Sequence, residues 1–363
     1  MQIDSDVLIA GGGPTGMSAA LGMIALGHRV HIVDKHAHGL DFSRAILVNS
    51  STLAALAPYG VADTIAARGR QVASLAFRGP SGVLASGDID PANATAPRPV
   101  FLPQLETEAC LREALTARGV EVERPCELVG FTQDAEGVTA SLETNGVRRS
   151  FRSRFLIGAD GFHSRVREAL GVSFQTVGAD MTLYSADVVM TPPFAEDGCI
   201  FLLPEGAGMA LRFRDRRVRL AATSRAVFAV LGFDKLIEAT TWESDFAAHF
   251  ALADRYGEGR VWLAGDAAHA HSPVGGRGMN MGIADGLRLA RAVHDGDFAG
   301  YAAERRGIAD SWVRTNRRLS QIVSLQGPVG ALLRQGIRGA LRSLFLLRGE
   351  KLVQTLFRQI AAG

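Results

Sequence analysis

Residues 6–35, DVLIAGGGPTGMSAALGMIALGHRVHIVDK, constrain the fold of this chain more than any other stretch. An unbroken apolar run at 7–10 reads as a parallel strand buried on both faces. Gly11, Gly13 and Gly16 follow in GxGxxG spacing. A helix to about Leu26, capped by Gly27, leads to a second strand at 29–33 that ends at Asp34. This is a βαβ unit of about 30 residues with an acid at its far end, the arrangement that binds a dinucleotide. Gly11 permits the tight turn, Gly13 lets backbone approach a pyrophosphate, and Gly16 lets helix and strand pack closely. Pro14 and Thr15 open the helix, whose free N–H groups face the phosphates. Asp34 can accept from the hydroxyls of an adenosine ribose, with Lys35 beside it.

Composition narrows the remaining classes. The chain has 363 residues, enough for two domains sharing a core. Its 39 Lys+Arg nearly balance 37 Asp+Glu, which argues against a nucleic-acid footprint. No apolar run approaches the roughly 18 residues a membrane-spanning helix needs. The N-terminus enters a strand directly, so no signal peptide is expected. Cys110, Cys126 and Cys199 form no CxxC pair and read as buried thiols in a reducing cytoplasm.

The expected architecture is α/β: a Rossmann-like dinucleotide domain from residues 1–70, 96–175 and 253–315, interrupted by a second domain from 71–95 and 176–252. Strand-like runs and tight turns without long helices mark 176–228 as an antiparallel sheet. In GMALRFR, Met209, Leu211 and Phe213 share one strand face, and Ala210, Arg212 and Arg214 the other. That alternation fits a sheet with a core side and a wet side, or an apolar face lining a pocket for an aromatic ring. Residues 316–363 form a helical C-terminal segment. There Arg334, Arg338 and Arg342, four apart, read as a solvated stripe or a contact face. Arg44, ahead of a helix, is on its own terms a surface ion-pair residue.

The sequence RVWLAGDAAHAHSPVGGRGMNMGIADG at 260–286 repeats the theme of the opening: a buried strand, then Gly265-Asp266, a glycine run and a helix. FLIGADGFHSRVR at 155–167 adds a third strand ending in Asp160-Gly161. Ligands of open α/β sheets bind at the carboxyl ends of the strands, so the three motifs should converge on one long ligand. His269 and His271 lack the third ligand a catalytic zinc requires, and no metal is expected. His269 reads as a packing and hydrogen-bonding residue, the role of His271 is open, and Asp285 reads as lying on an exposed or interface side of its helix.

Three of these motifs together resemble the class A FAD-dependent aromatic hydroxylases, similar to para-hydroxybenzoate hydroxylase and phenol hydroxylase. They are GGGPTG at 11–16, ADGFHSRVR at 159–167 and GDAAHAHSPVGGRGMNMG at 265–282; the resemblance covers roughly 1–315. It implies a glutathione-reductase-type FAD domain with an inserted substrate domain. It also implies FAD as cofactor, NAD(P)H as co-substrate, and hydroxylation of an aromatic or polycyclic molecule with O2 through a flavin C4a-hydroperoxide. The resemblance places the pyrophosphate at the 11–16 turn, Asp34 on the ribose, Arg44 near the phosphates, Gln104 and Leu128 along the cofactor, and Asp160 in a motif tied to both FAD and NAD(P)H. Gly265 and Asp266 would meet the ribityl chain. Pro273, Gly276, Gly278, Met279 and Asn280 would run along the isoalloxazine ring, which would shift between outer and inner positions over the 275–278 glycines. A helix opening there would turn its partial positive end to the charge of a reduced flavin. No residue is assigned as a catalytic base. A second GxGxxG unit and a WxWxIP motif are missing from these residues, and the thioredoxin-like third domain of phenol hydroxylase relatives is not expected. A monomer or homodimer is expected. The alternative is a reductase or cyclase on the same scaffold that does not use O2.

Overall fold

A computed structural model describes residues 2–38, 45–89, 96–176, 181–325 and 327–348. Arg44 lies outside them. Two large sheets form the frame. The first has eight strands, and its spine runs Gly257–Glu258, Val261–Leu263, Val147–Gly158, Ser5–Ala10, Val30–Val33, Val122–Glu123. The last five of these are mutually parallel. Glu127–Gln133 and Val138–Thr144 pair in a meander onto the long Val147–Gly158 strand.

Val7, Leu8 and Ile9 are fully buried, in one core with residues of the Pro14–Ala25 and Gly278–Asp295 helices and of the meander strands. The helices Pro14–Ala25 and Gly278–Asp295 cross at small residues. A β-carbon on Gly22 would come within 2.8 Å of Ala290, and one on Gly286 within 2.5 Å of the Thr15 carbonyl oxygen. Small residues here let two helix backbones approach closely enough to bring both N-termini to one place.

The second sheet has seven strands in the order Ile237–Ala248, Met181–Met190, Arg217–Ala222, Gly206–Arg212, Gly198–Leu203, Ser74–Gly79, Gly82–Asp88. It is antiparallel except where Gly198–Leu203 pairs with Ser74–Gly79. It is larger than the 176–228 run suggests. Ile237–Ala248 adds a twelve-residue edge strand whose residues are mostly exposed, so no apolar alternation announces it. The wet side expected for GMALRFR holds at one end only, where Arg214 is exposed and Arg212 half-buried. Ala210 is buried under the short Ala226–Val230 helix with Phe201, Phe228 and Phe233, while Met209, Leu211 and Phe213 pack with Leu75 and Phe101 on the other face. Both faces are covered at Ala210 and Leu211.

Two helices, Phe298–Ser324 and Gly327–Arg348, close the described chain. The arginine stripe is not a solvated face. Arg334 is 1% exposed and donates to the carbonyl oxygens of Leu203, Pro204 and Leu325 at 2.7, 2.6 and 2.6 Å. Arg338 reaches the Leu202 carbonyl at 3.3 Å, and Arg342 alone of the three is exposed. Helical spacing finds the stripe but not what it docks onto, because the acceptors lie about 130 residues away.

Candidate active site

The parallel strands deliver their carboxyl ends to one cleft. Ser5–Ala10 ends at Gly11, whose φ of +112° and N–H···O bond to Val33 at 2.8 Å set the turn. A β-carbon on Gly11 or Gly16 would collide with backbone, at the Ala159 and Gly11 carbonyl oxygens respectively. At Gly13 it would meet nothing within 4 Å, because that side opens on the cavity. Pro14 occupies the first helical turn and no side chain caps the helix, so its leading N–H groups are left to a ligand. Thr15 lies against Gly265 and Gly282, joining this turn to the 265–282 motif.

Asp34 follows the second strand. Its Oδ2 accepts from Gly12 N–H at 2.7 Å and its Oδ1 from His36 N–H at 2.8 Å. Arg124 stands 3.4 Å from Asp34 and donates to the Gly12 carbonyl at 2.8 Å. Sequence reasoning missed Arg124. It follows a strand of two residues, Val122–Glu123, too short to show periodicity. Lys35 and Leu128 also line the cleft. Gln104 opens the Gln104–Thr116 helix and donates to Glu108 at 2.8 Å. Burial pushes the Glu108 carboxyl up, against the hydrogen bond from Gln104. Glu108 too went unnoticed, one acid among several on that helix.

Asp160 lines the cleft but is engaged locally. It accepts from Ser164 Oγ at 2.5 Å and Val166 N–H at 3.2 Å, ordering the turn into Arg165–Ala169. Burial nevertheless pushes its carboxyl above the usual range. Asp266 is exposed within the cavity wall, in the turn just after Val261–Leu263. Gly265 holds that turn at φ +63°.

Pro273, Gly276, Gly278 and Met279 form the next stretch of wall. Gly275 and Gly276 have φ of +90° and +64°, which favour glycine. The Gly278–Asp295 helix also starts at the cavity without a capping side chain. Asn280 is placed differently from the expectation. Its side chain is 4% exposed, accepts from Asn49 N–H at 3.0 Å, and donates to the Leu47 and Gly276 carbonyls at 2.8 and 2.9 Å. It ties the 47–49 turn to the glycine loop instead of facing the cavity.

Asp285 is not on an exposed side of its helix. It is fully buried, accepting from His269 Nε2 and Arg305 Nε at 2.6 Å each and from Gly265 N–H at 3.0 Å. Burial pushes its carboxyl up, and the charges and hydrogen bonds of His269 and Arg305 outweigh burial, holding it below the ordinary range. His269 thus serves packing and hydrogen bonding.

His271 lies in the cavity wall, its Nδ1–H donating to the Ser272 carbonyl at 3.0 Å, which leaves Nε2 as an acceptor without a partner in the protein. Burial lowers its pKa to about 4. A histidine kept neutral in the fold gives stability that is complete above the unfolded value near 6.5 and is lost as pH falls toward 4. Replacing His271 with Phe should flatten the pH dependence of unfolding free energy across that window, by up to ~3 kcal/mol. Urea denaturation at pH 7 and pH 4.5 checks this; parallel profiles for the two proteins would refute it.

The cavity continues beyond the cleft to the second sheet, with a total volume of about 1040 Å³. Leu183, Ile200, Leu202, Met209, Leu211 and Phe246 make its roof largely apolar. Among its polar groups is Arg219, 2% exposed, paired with Asp187 on the neighbouring strand and 5.0 Å over the Trp242 ring. Among the described residues no group of three or more His, Cys, Asp or Glu could hold a metal.

A GxGxxG turn, two uncapped helix N-termini and an acid at each of three parallel strand ends, all on one cavity, define a dinucleotide-binding α/β protein. The residues suit FAD in particular: Gly13 leaves open room beside an uncapped helix, and a second uncapped N-terminus faces the same cavity some 260 residues later in the chain. Comparison with known proteins agrees. The family model described as "FAD binding domain" matches residues 4–229 and 214–296. Rifampicin monooxygenase of Streptomyces venezuelae is 31% identical over 353 residues, covering 89% of this chain and 73% of that protein. The 6-methylpretetramide 4-monooxygenase of Streptomyces rimosus is also 31% identical, over 89% of this chain; this chain spans only 63% of its length. The crystal structure of p-nitrophenol 4-monooxygenase PnpA from Pseudomonas putida DLL-E4 superposes with a TM-score of 0.84 over 99% of both chains at 22% identity, a likeness of fold. The chain belongs to this FAD-binding family and is a flavoprotein monooxygenase of the aromatic hydroxylase class.

Proposed function

We propose that the protein hydroxylates a polycyclic aromatic substrate, using NAD(P)H and O2 with FAD bound along the cleft. The observation that carries this reading is the continuity of one cavity, from the Gly11 turn to the apolar roof of the second sheet. At about 1040 Å³ it reaches the upper end of the usual range for small-molecule sites, room for a cofactor and a ring system together. The named substrates of the relatives, rifampicin and 6-methylpretetramide, support a large one.

In this reading Gly11, Gly13 and the start of Pro14–Ala25 hold the pyrophosphate with N–H groups, as Gly16 keeps helix and strand close. Asp34 accepts from ribose hydroxyls, oriented by Gly12 N–H, His36 N–H and Arg124. Asp266 accepts from the ribityl chain. The wall from Pro273 to Met279 lies along the flavin ring, and the Gly278–Asp295 N-terminus stabilises negative charge developing on it. Bound FAD supplies the redox chemistry, taking a hydride from NAD(P)H and activating O2. The balance is one ArH, O2, NAD(P)H and H⁺ giving ArOH, H2O and NAD(P)⁺. The apolar roof excludes water from the reacting face. Among the described residues no helix is long and apolar enough to cross a membrane, and we place the enzyme in the cytoplasm.

The test is NAD(P)H-dependent O2 uptake by FAD-loaded protein over a panel of single-ring phenols and multi-ring aromatic phenols. Uptake stimulated by a multi-ring compound, with a product one oxygen heavier, is expected. NAD(P)H oxidation coupled to substrate conversion without O2 uptake would replace this reading with a reductase or cyclase.

A further inference from the structure

We propose that Asp285 is a positioning residue for the cofactor: its buried carboxylate holds the Gly265 N–H and thereby aims Asp266 into the cavity. The inference rests on the reading above, in which Asp266 meets the ribityl chain. No contact between Asp285 and a ligand is involved, and Asp285 does not line the cavity.

The geometry is that of a clamp joining three elements. Asp285 sits in the Gly278–Asp295 helix, His269 on the short His269–Ala270 strand, and Arg305 on the Phe298–Ser324 helix. The carboxylate accepts from His269 and Arg305 at 2.6 Å each. A third bond comes from Gly265 N–H at 3.0 Å, in the turn that forms part of the cavity wall. Gly265 leaves the parallel strand in the left-handed region, φ +63°, and among the described hydrogen bonds its N–H goes to Asp285. A buried N–H without a partner is costly, so this turn is stable only where a fixed acceptor waits beneath it. The next residue is Asp266, exposed in the cavity wall. Thr15, from the opening glycine turn, packs on the other side of Gly265 and leaves the turn little room to swing. The clamp is further braced by Tyr301, whose hydroxyl donates to the Leu263 carbonyl at 2.6 Å, at the end of the strand that feeds the turn. A displacement of Asp266 by a fraction of an ångström weakens a charge-assisted hydrogen bond, whose strength depends steeply on geometry.

Breaking Asp285 alone would leave Arg305 buried without its acid, so loss of fold could be confused with loss of positioning. The pair Asp285→Leu/Arg305→Met removes both charges together, an exchange that proteins often tolerate with little loss of stability. Apoprotein of wild type, Arg305→Met, Asp285→Leu/Arg305→Met, Asp266→Ala and the triple variant is titrated with FAD, with thermal unfolding in parallel. The Asp285→Leu/Arg305→Met pair should bind FAD roughly five- to thirtyfold more weakly. Arg305→Met should keep FAD affinity within about twofold of wild type even where its unfolding temperature falls, because Asp285 keeps the hydrogen bonds from Gly265 and His269. Adding Asp266→Ala to the pair should weaken binding no further than Asp266→Ala alone, the signature of two residues acting through one contact. An FAD affinity of the pair equal to wild type, or losses that simply multiply in the triple variant, would overturn the inference. If Asp266→Ala itself leaves FAD affinity unchanged, the assignment of Asp266 falls, and this proposal with it. If Asp266→Ala weakens binding while the pair does not, the assignment stands and the positioning role alone fails.

Discussion

Replacing Asp266 with alanine is expected to weaken FAD binding roughly ten- to a hundredfold. The magnitude follows from what is lost. A carboxylate accepting from a polyol hydroxyl makes a charge-assisted hydrogen bond worth on the order of 1.5–3 kcal/mol. Asp266 can make one because it stands exposed in the cavity wall, two residues beyond Ala264, on a turn fixed from below. Fluorescence titration of apoprotein measures the dissociation constant. A value within twofold of wild type would remove Asp266 from the cofactor site.

The second large effect is expected far from the cofactor. Arg334→Met should destabilise the protein by about 3 kcal/mol, with a melting temperature lower by roughly 5 °C. Three carbonyl oxygens, of Leu203, Pro204 and Leu325, lose their donor at once. Each buried acceptor left unmade costs about 1–3 kcal/mol. Part of that is offset, because the guanidinium is itself buried and its removal relieves a desolvation cost. Burial, with Arg338 nearby, already lowers the Arg334 pKa. Arg334→Lys should recover little, since one ammonium does not reproduce a planar fork aimed at three acceptors. Leu202, next to this latch, lines the cavity roof, so the Michaelis constant for substrate should rise while FAD affinity holds. Urea unfolding and the two affinities check it. Unchanged stability in Arg334→Met would mean that the C-terminal helix is not anchored by this residue.

What the amino-acid order alone determines here is local. The Gly11, Gly13 and Gly16 spacing, the buried runs at 7–10 and 261–264, and the acids that end their strands follow from backbone sterics and period, which act within a few residues. They suffice for the strand–turn–helix units, for the type of ligand and for the convergence of the three motifs on one side of a parallel sheet. Pairings over long separations are not legible in this way. Arg124 meets Asp34 90 positions away, behind a strand of two residues. Asn280 is drawn off the cavity by Asn49 and Leu47, more than 230 positions earlier. Asp285 reads as an acid on an exposed or interface side of its helix until the packing of three elements surrounds it with His269, Arg305 and Gly265. Arg334 reads as part of a solvated stripe or a contact face until the end of a strand supplies it with carbonyl oxygens. In each case the side chain's own chemistry allows water or a buried partner equally well. Which of the two it finds is decided by which distant element packs against it, and periodicity along the chain carries no record of that.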